Sequence, residues 1–499
     1  MGKGFIKVQL FSAKNVMPVS GGNIFIIESA AIEFEDGKIL TTDECGISKV
    51  VTVNTPDRSV GENPASKDVP YSSYDIYIRA KGYRDVAIEG IHIFPDIISI
   101  QNVEMIPTKK ERVFMEEAEF TFIPPHKLLE LTQRNRIEGI KIGSGGCVPL
   151  VIPEYVTVHL GAPNSYAENV TLDFLDYIKN VASSEIYPTW PVEAIRANVY
   201  AEISFVLNRI QTEWYKNKGY AFDVTNCSAY DQEFVRGRNI YDNISRIVDE
   251  VFNECIESKE GKGPILASSC NGISESGSGL SKWGTVVMAN NGCDALEILK
   301  KYFGDDIRLE KISDVYGLDE QYSGDELKVG SNGKMVEGIQ KKLNKISENF
   351  TAINKIDIIT GEFNNDTYKA VKTFQEIFNI ASTGVVNRVT WYKISLIYNN
   401  TKKLLDFIED DEEHNIGVSP EYLLRYGDSG AAVREFQRYL RVVSQYYSVI
   451  PQLDVNGEFD LNTKAAVLAF QKKFNNIDVD GIVGKQTWDK IYEVYCDLK

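Results

Sequence analysis

Histidine is scarce in this 499-residue chain. There are four, His92, His126, His159 and His414, and no two stand at metal-ligand spacing. A zinc hydrolase of the H-E-x-x-H kind is thereby excluded, and no metal or other cofactor is expected. Cysteine is sparse and odd in number: Cys45, Cys147, Cys227, Cys255, Cys270, Cys293 and Cys496 are scattered singly, with no C-x-x-C pair. Neither a zinc ribbon nor a disulfide framework follows from that pattern. Positive charge is in deficit, with 54 Lys and Arg against 71 Asp and Glu and a formal net charge of −17. Such a surface does not displace counterions from phosphate, so nucleic acid is not an expected partner. Long apolar runs are missing too. No stretch reaches the roughly 18 residues of a membrane span. The opening MGKGFIKVQLFSAKN spreads three lysines among short apolar pieces, so neither a membrane partner nor a signal peptide is expected.

What the chain does have is a tandem repeat. LKVGSNGKMVEGIQKKL returns as LRYGDSGAAVREFQRYL, and Gln340 with Gln437, Phe374 with Phe470 and Trp391 with Trp488 recur at offsets of 97, 96 and 97 residues. Each copy reads as three short helices. Val433, Phe436, Gln437 and Leu440 share one helix face and Ala466, Val467, Phe470 and Phe474 another, the spacing of core-facing stripes. The order G-x-x-G-x-x-V-x-x-x-Q-x-x-L, then G-x-F-x-x-x-T-x-x-A-V-x-x-F-Q, then T-W, resembles the peptidoglycan-binding type 1 domain in both copies. That resemblance implies modules at 324–398 and 420–499 that hold the chain on peptidoglycan.

Hydrophobic and charged fractions of 43% and 25% are those of a globular protein, and the length suggests three or four domains. The expected fold class is multidomain α+β. In residues 1–108, FIKVQLF, NIFIIES, KVVTVNT, SYDIYIRAKGY, VAIEGIHIF and ISIQNVEMIP read as short strands between turn residues, and so as a small β-sandwich. The pieces PVSGGNIFI, TTDECGISKVVTV and YDIYIRAKGYRDVAIEGIHIF resemble the transthyretin-like sandwich, with a structural or removable-prosegment role. Residues 109–150 read as a linker. They are charged, then carry Pro124-Pro125, then Gly143, Gly145 and Gly146, small residues of the kind proteases cut. A second, acidic linker around NTKKLLDFIEDDEEHNIG reads as a solvated connector between the repeats.

Residues 151–315 are left to carry any chemistry. Two helices are expected, one with Leu172, Leu175, Ile178 and Val181 on a face, the other with Val192, Ile195, Val199, Ile203, Val206 and Ile210, and SSEIYPTW between them. Glu185 in that connector lies beside Tyr187 and Trp190, where partial burial would move a carboxyl toward the range of a general acid. YIKNVASSEIYPTWPVEAIRANVYA, FDVTNCSAYDQEFVRG and GPILASSCNGISESG together resemble the core of the SpoIID/LytB family, an α+β catalytic domain. Joined to IPEYVTVHLGAP, KWGTVVMANNGCDALEILKKYFGDDI and the repeats, they resemble the clostridial spore cortex-lytic enzymes. By that resemblance Glu185 takes the position of the acid, Glu193 is a helix N-terminal charge, and Gln232, Ser268, Ser269, Cys270 and Asn271 fall where the family faces substrate or satisfy local backbone groups. Tyr187, Trp190, Tyr230 and Trp283 either stack on sugar or belong to the core. The matching stretch TNCSAYD has one Cys and no His, so no metal is implied.

The implied activity is lytic transglycosylation of peptidoglycan, cleaving the β-1,4 bond between N-acetylmuramic acid and N-acetylglucosamine to leave 1,6-anhydro ends. One carboxyl suffices, because the muramyl C6 hydroxyl is the nucleophile. Asp223 and Asp231 are the candidates for a second carboxylate in a hydrolase. The resemblance also implies a zymogen whose segment before about Val148 is removed by an activating protease, working in spore cortex or at the cell-wall exterior. A lysin carried by a phage-like particle and a non-catalytic wall-binding scaffold are the alternatives. The scaffold predicts a dispensable Glu185 and a filled pocket around it.

Overall fold

The computed structural model describes residues 2–29, 37–109, 118–129, 150–261, 263–271, 279–315, 321–412, 419–420, 422–474 and 477–498. The Gly143–Gly146 run, and with it the expected processing site, lies outside them. So do Cys147 and residues 272–278 of the Ser-rich loop.

The first stretch builds strands β1 (Gly2–Ser12), β2 (Met17–Pro18), β3 (Asn23–Glu28), β4 (Lys38–Thr41) and β5 (Val51–Thr55), a short helix α1 (Arg58–Glu62), then β6 (Ser72–Arg79), β7 (Val86–Ile93), β8 (Ile98–Glu104) and β9 (Glu119–Phe122). The middle stretch follows with β10 (Tyr155–His159), β11 (Asn169–Asp173), α2 (Phe174–Glu185), α3 (Val192–Gln211), β12 (Val224–Thr225), β13 (Ile240–Tyr241), α4 (Asp242–Val251), β14 (Glu254–Ser258), β15 (Ser269–Cys270), β16 (Leu280–Ser281), α5 (Lys282–Asn290), α6 (Ala295–Phe303) and β17 (Ile307–Lys311). The repeats supply α7 (Lys334–Ile346), α8 (Asn365–Ile377) and α9 (Arg388–Glu412), then α10 (Ala431–Tyr446), α11 (Leu461–Lys473) and α12 (Lys485–Leu498).

Alternating burial along the early strands puts one face of each sheet inward. β4-β3-β6-β7-β9 form one sheet, and β8-β1-β2 with β5 form the other. Ile6, Val8, Ile24, Ile76, Ile78, Ile91 and Met105 fill the space between them. Two neighbours complete this sandwich. β9, from the stretch read as linker, joins β7 in parallel, and β13, from the middle stretch, pairs with β8 through Ile240–Ile100 and Tyr241–Ser99. The sandwich and the middle unit therefore share a sheet, which no sequence boundary at 108 conveys.

One local expectation is corrected and another made definite. Leu172 is not on a helix face: it pairs with Val156 in the β10–β11 ladder, and the helix opens only at Phe174. The alternation N-V-T-L-D carries the strand period up to that point. The connector after the first repeat, read only as solvated, begins as helix. α9 continues without a break to Glu412, and the sequence from Arg388 to there contains neither Gly nor Pro to stop it.

One continuous core runs from the middle unit into the first repeat, where Phe252 and Tyr392 meet at 5.5 Å between ring centres. In each repeat the motif glutamines are internal brackets. Gln340 donates to Glu362 O and Thr367 Oγ1 at 2.9 Å and accepts from Gly361 N at 3.0 Å. Gln437 does the same with Glu458 O, Thr463 Oγ1 and Gly457 N at 2.9, 3.0 and 2.7 Å. The bracketed glycines have φ of +72° and +81°, a conformation that L side chains rarely adopt. Among the described residues no helix is long and apolar enough to cross a membrane.

Candidate functional site around Glu185

Helix α2 is buried along most of its length, and Glu185, its last residue, is 2% exposed at the centre of the middle unit. The helix holds a neighbouring loop in register. Asn180 accepts from Val235 N at 3.0 Å and donates to Val235 O at 2.8 Å. This clamp brings Glu233 N to 2.8 Å from Glu185 Oε1. Lys282, the first residue of α5, sits with its Nζ 2.7 Å from Glu185 Oε2, the two side chains being 4% and 1% exposed. Ser281, which caps α5 by accepting from Gly284 N at 2.9 Å, fixes where that lysine starts. Ser269 Oγ lies 3.4 Å from the same carboxylate oxygen, and Lys282 Nζ also donates to Asn271 Oδ1 at 3.1 Å.

A segment from outside this unit closes the site. After β9 the chain runs through Pro124 and Pro125 into a turn at Lys127–Leu129. Arg238 Nη2 donates to Pro124 O at 3.2 Å, and His126 N donates to the Tyr71 hydroxyl at 3.0 Å. The His126 ring meets Tyr187 edge-on at 4.9 Å. Lys127 Nζ stands 3.2 Å from Glu233 Oε1, and Lys127 O accepts from Asn271 Nδ2 at 3.1 Å. His126 and Leu128 are buried. The strap thus bridges the residues that flank Glu185.

The electrostatics follow from burial. Loss of hydration raises the Glu233 carboxyl above its ordinary value; Lys127 opposes that rise and the neighbouring Glu185 adds to it. His126 is pushed well below the usual histidine range by burial first, then by the charges of Arg238 and Lys282. Glu185 itself is ion-paired with Lys282. The expectation of partial burial beside Tyr187 and Trp190 missed both the depth of the site and its lysine.

Of the residues singled out in the sequence, Ser269 and Asn271 reach the Glu185 cluster. Gln232 accepts from the Tyr177 hydroxyl at 2.9 Å and donates to Glu202 O at 3.0 Å, fixing the loop from within. Tyr187, Trp190 and Trp283 are core. Trp190 and Trp283 lie 4.9 Å apart, and Trp190 Nε1 donates to Gly61 O of the sandwich at 3.1 Å. Tyr230 is half exposed, and Ser268 engages through its backbone, which accepts from Leu280 N at 2.8 Å. Cys270 continues the short β15–β16 bridge. Glu193 caps a different helix from the one it starts, accepting from Ala295 N of α6 at 2.9 Å. The spare carboxylates are engaged elsewhere. Asp231 accepts from Arg209 Nε, the Tyr215 hydroxyl, Thr225 N and Thr225 Oγ1 at 2.9, 2.5, 2.9 and 2.8 Å. Asp223 pairs with Lys216 at 2.6 Å and accepts from Thr157 N at 2.9 Å. Sequence reasoning overlooked Lys127, Glu233 and Lys282. Only the Q-E-F context of Glu233 stood near a signal.

No curated protein matches this chain. Among solved structures, catechol 1,2-dioxygenase from Acinetobacter sp. ADP1, inhibited by bound mercury, is similar at 9% identity over 24% of this chain and 58% of that one, with a TM-score of 0.16. So slight a likeness carries no argument. Residues 332–394 and 429–491 each match the model of a putative peptidoglycan binding domain. The chain carries two peptidoglycan-binding modules, and peptidoglycan is its partner.

Proposed function

We propose that this chain is a peptidoglycan lytic transglycosylase kept latent by its own N-terminal region, with Glu185 as the acid and base. The observation that carries the reading is the Glu185 cluster. A deeply buried carboxylate meets a lysine, a hydroxyl and a backbone amide, and the cover over it comes from outside the unit that builds it. Drawing the strap away would expose Glu185 between Ser269, Asn271 and Glu233. Once the Lys282 ammonium is displaced, Glu185 in its acid form would protonate the leaving glycosidic oxygen. As carboxylate it would then take the proton of the muramyl C6 hydroxyl as the anhydro ring closes.

Latency fits a protease that cuts within the Gly143–Gly146 stretch, and the resemblance to spore cortex-lytic enzymes favours cortex during germination as the substrate. A second reading has one observation in its favour: the pocket around Glu185 is filled, as a non-catalytic scaffold requires. Mass spectrometry of soluble products separates the two. Spore cortex is digested with the chain cut at a protease site engineered at Gly145, beside its Glu185→Gln variant. Anhydromuramyl ends that vanish in the variant are the expected result. Reducing ends mean a hydrolase, and no products from either chain mean the scaffold.

A further inference from the structure

The two repeats share a fold and differ in what they show to solvent. In the second, a concavity of about 420 Å³ is lined by Tyr422, Leu423, Leu424, Arg425, Asp428 and Ser429. That volume is of the order of known small-ligand sites. Tyr422 and Leu423 are 63% and 59% exposed, and Tyr426 beside them is 57% exposed. Counting back by the repeat offset, the first repeat has Asp325, Glu326, Lys328, Val329, Ser331 and Asn332 at Tyr422, Leu423, Arg425, Tyr426, Asp428 and Ser429. Two carboxylates and a valine stand where the second repeat has two tyrosines and a leucine. The residues that close the fold, Gln340 and Gln437 among them, stay the same. The divergence is therefore on the surface.

The first repeat is also the more enclosed. Asn349 Nδ2 donates to Val16 O at 3.0 Å, Gln9 Nε2 to Ile377 O at 3.0 Å, and Arg388 Nη1 to Ser313 O at 3.2 Å, tying it to the sandwich and the middle unit. The second repeat docks through another part of its surface. Thr171 N donates to Ser448 O at 3.1 Å, Lys109 N to Asp497 Oδ1 at 3.0 Å, and Arg84 lies over the Tyr447 ring at 5.8 Å. None of these contacts involves residues 422–429.

We infer that the Tyr422–Ser429 face of the second repeat is the glycan-binding site of this chain, and that the first repeat serves as a structural spacer. This rests on peptidoglycan being the partner. The occupant is the glycan strand, not the stem peptide. Pyranose rings present flat C–H faces that tyrosine rings cover at low entropic cost, and muramyl units carry carboxylates. Arg425 is exposed; its backbone N donates to Asp428 Oδ2 at 2.8 Å, while no carboxylate among the described residues pairs with its guanidinium, in a chain of net charge −17. A planar guanidinium beside two rings suits a carboxylated sugar. In the first repeat Asp325 and Glu326 would repel the same strand.

The test uses the full chain carrying Glu185→Gln, so that no digestion occurs, sedimented with intact peptidoglycan and with glycan strands stripped of their peptides by an amidase. The Tyr422→Ala, Tyr426→Ala double variant is expected to weaken binding to both by about ten-fold or more, as loss of interface aromatics does. The mirror variant Asp325→Ala, Val329→Ala is expected to stay within about two-fold, as exposed substitutions do. Equal losses from the two variants, or no loss from the tyrosines, overturn the assignment. Binding that disappears with the stem peptides overturns the choice of occupant. A parent chain that sediments with neither polymer overturns the peptidoglycan reading beneath it.

Discussion

Glu185 and Asp231 are both fully buried carboxylates of the middle unit, and they are built in opposite ways. Asp231 is saturated: an arginine, a tyrosine hydroxyl and both donors of Thr225 aim at it, and each comes from within residues 209–225. The Arg209 guanidinium is itself sandwiched near Phe205, Trp214 and Tyr215, so nothing there is free to exchange. Glu185 meets residues from more distant parts of the chain, Lys282, Ser269 and Glu233 N among them, and a strap from the N-terminal region bridges its neighbours. The first arrangement fixes a fold. The second, under the proposed function, holds a group that a movement exposes.

The largest effect expected from this contrast is on activity. Glu185→Gln in the cut chain should lower product formation by about 10²–10⁴-fold, the usual share of a general acid–base group. The amide oxygen still accepts from Lys282 and Glu233 N, so the circular dichroism spectrum should be unchanged. Asp231→Ala should do the reverse. It leaves a buried arginine without its carboxylate and should cost about 3–5 kcal/mol in denaturant unfolding, while activity per folded molecule stays near that of the parent. If both variants lose activity and neither loses stability, the distinction between the two carboxylates fails.

Smaller effects sharpen the role of the strap. Lys127→Ala should cost the uncut chain only about 0–1 kcal/mol, because that lysine is 37% exposed. It should nevertheless raise the chain's basal activity on peptidoglycan, read as released muropeptide. The smallest effect is on pH dependence. Glu233 is raised in the folded state, so the folded chain keeps a proton that the unfolded chain gives up near the ordinary value of 4.5. Its contribution is fully present below that value and is lost as pH rises through the folded one. Melting temperature followed across this range should fall less steeply in Glu233→Gln than in the parent.

How much of this was legible in the sequence depended on the range of the interactions. Period and turn chemistry carry local structure, so the early strands, α3 and the six helices of the repeats could be read from spacing. The motif of the repeats encodes Gln340, Thr367 and Gly361 and their counterparts, residues that close the fold. It says little about ligand, because the surface that distinguishes the copies lies in the residues between the motif positions. At the site, Glu185 was legible only through the resemblance. Lys282 and Lys127 approach it from 97 positions downstream and 58 upstream, and no local pattern records such an approach. The strap was hidden for a related reason. Pro124-Pro125 reads as a linker, and only the pairing of β9 with β7 and the bonds to Arg238 and Tyr71 turn it into a cover.

The most direct test of the account follows peptidoglycan solubilisation by one preparation before and after cutting at a protease site engineered at Gly145, with Glu185→Gln treated in parallel. The account predicts negligible release from the uncut chain, release after cutting, and none from the cut variant. Release that is the same before and after cutting, or that survives in the variant, would contradict it.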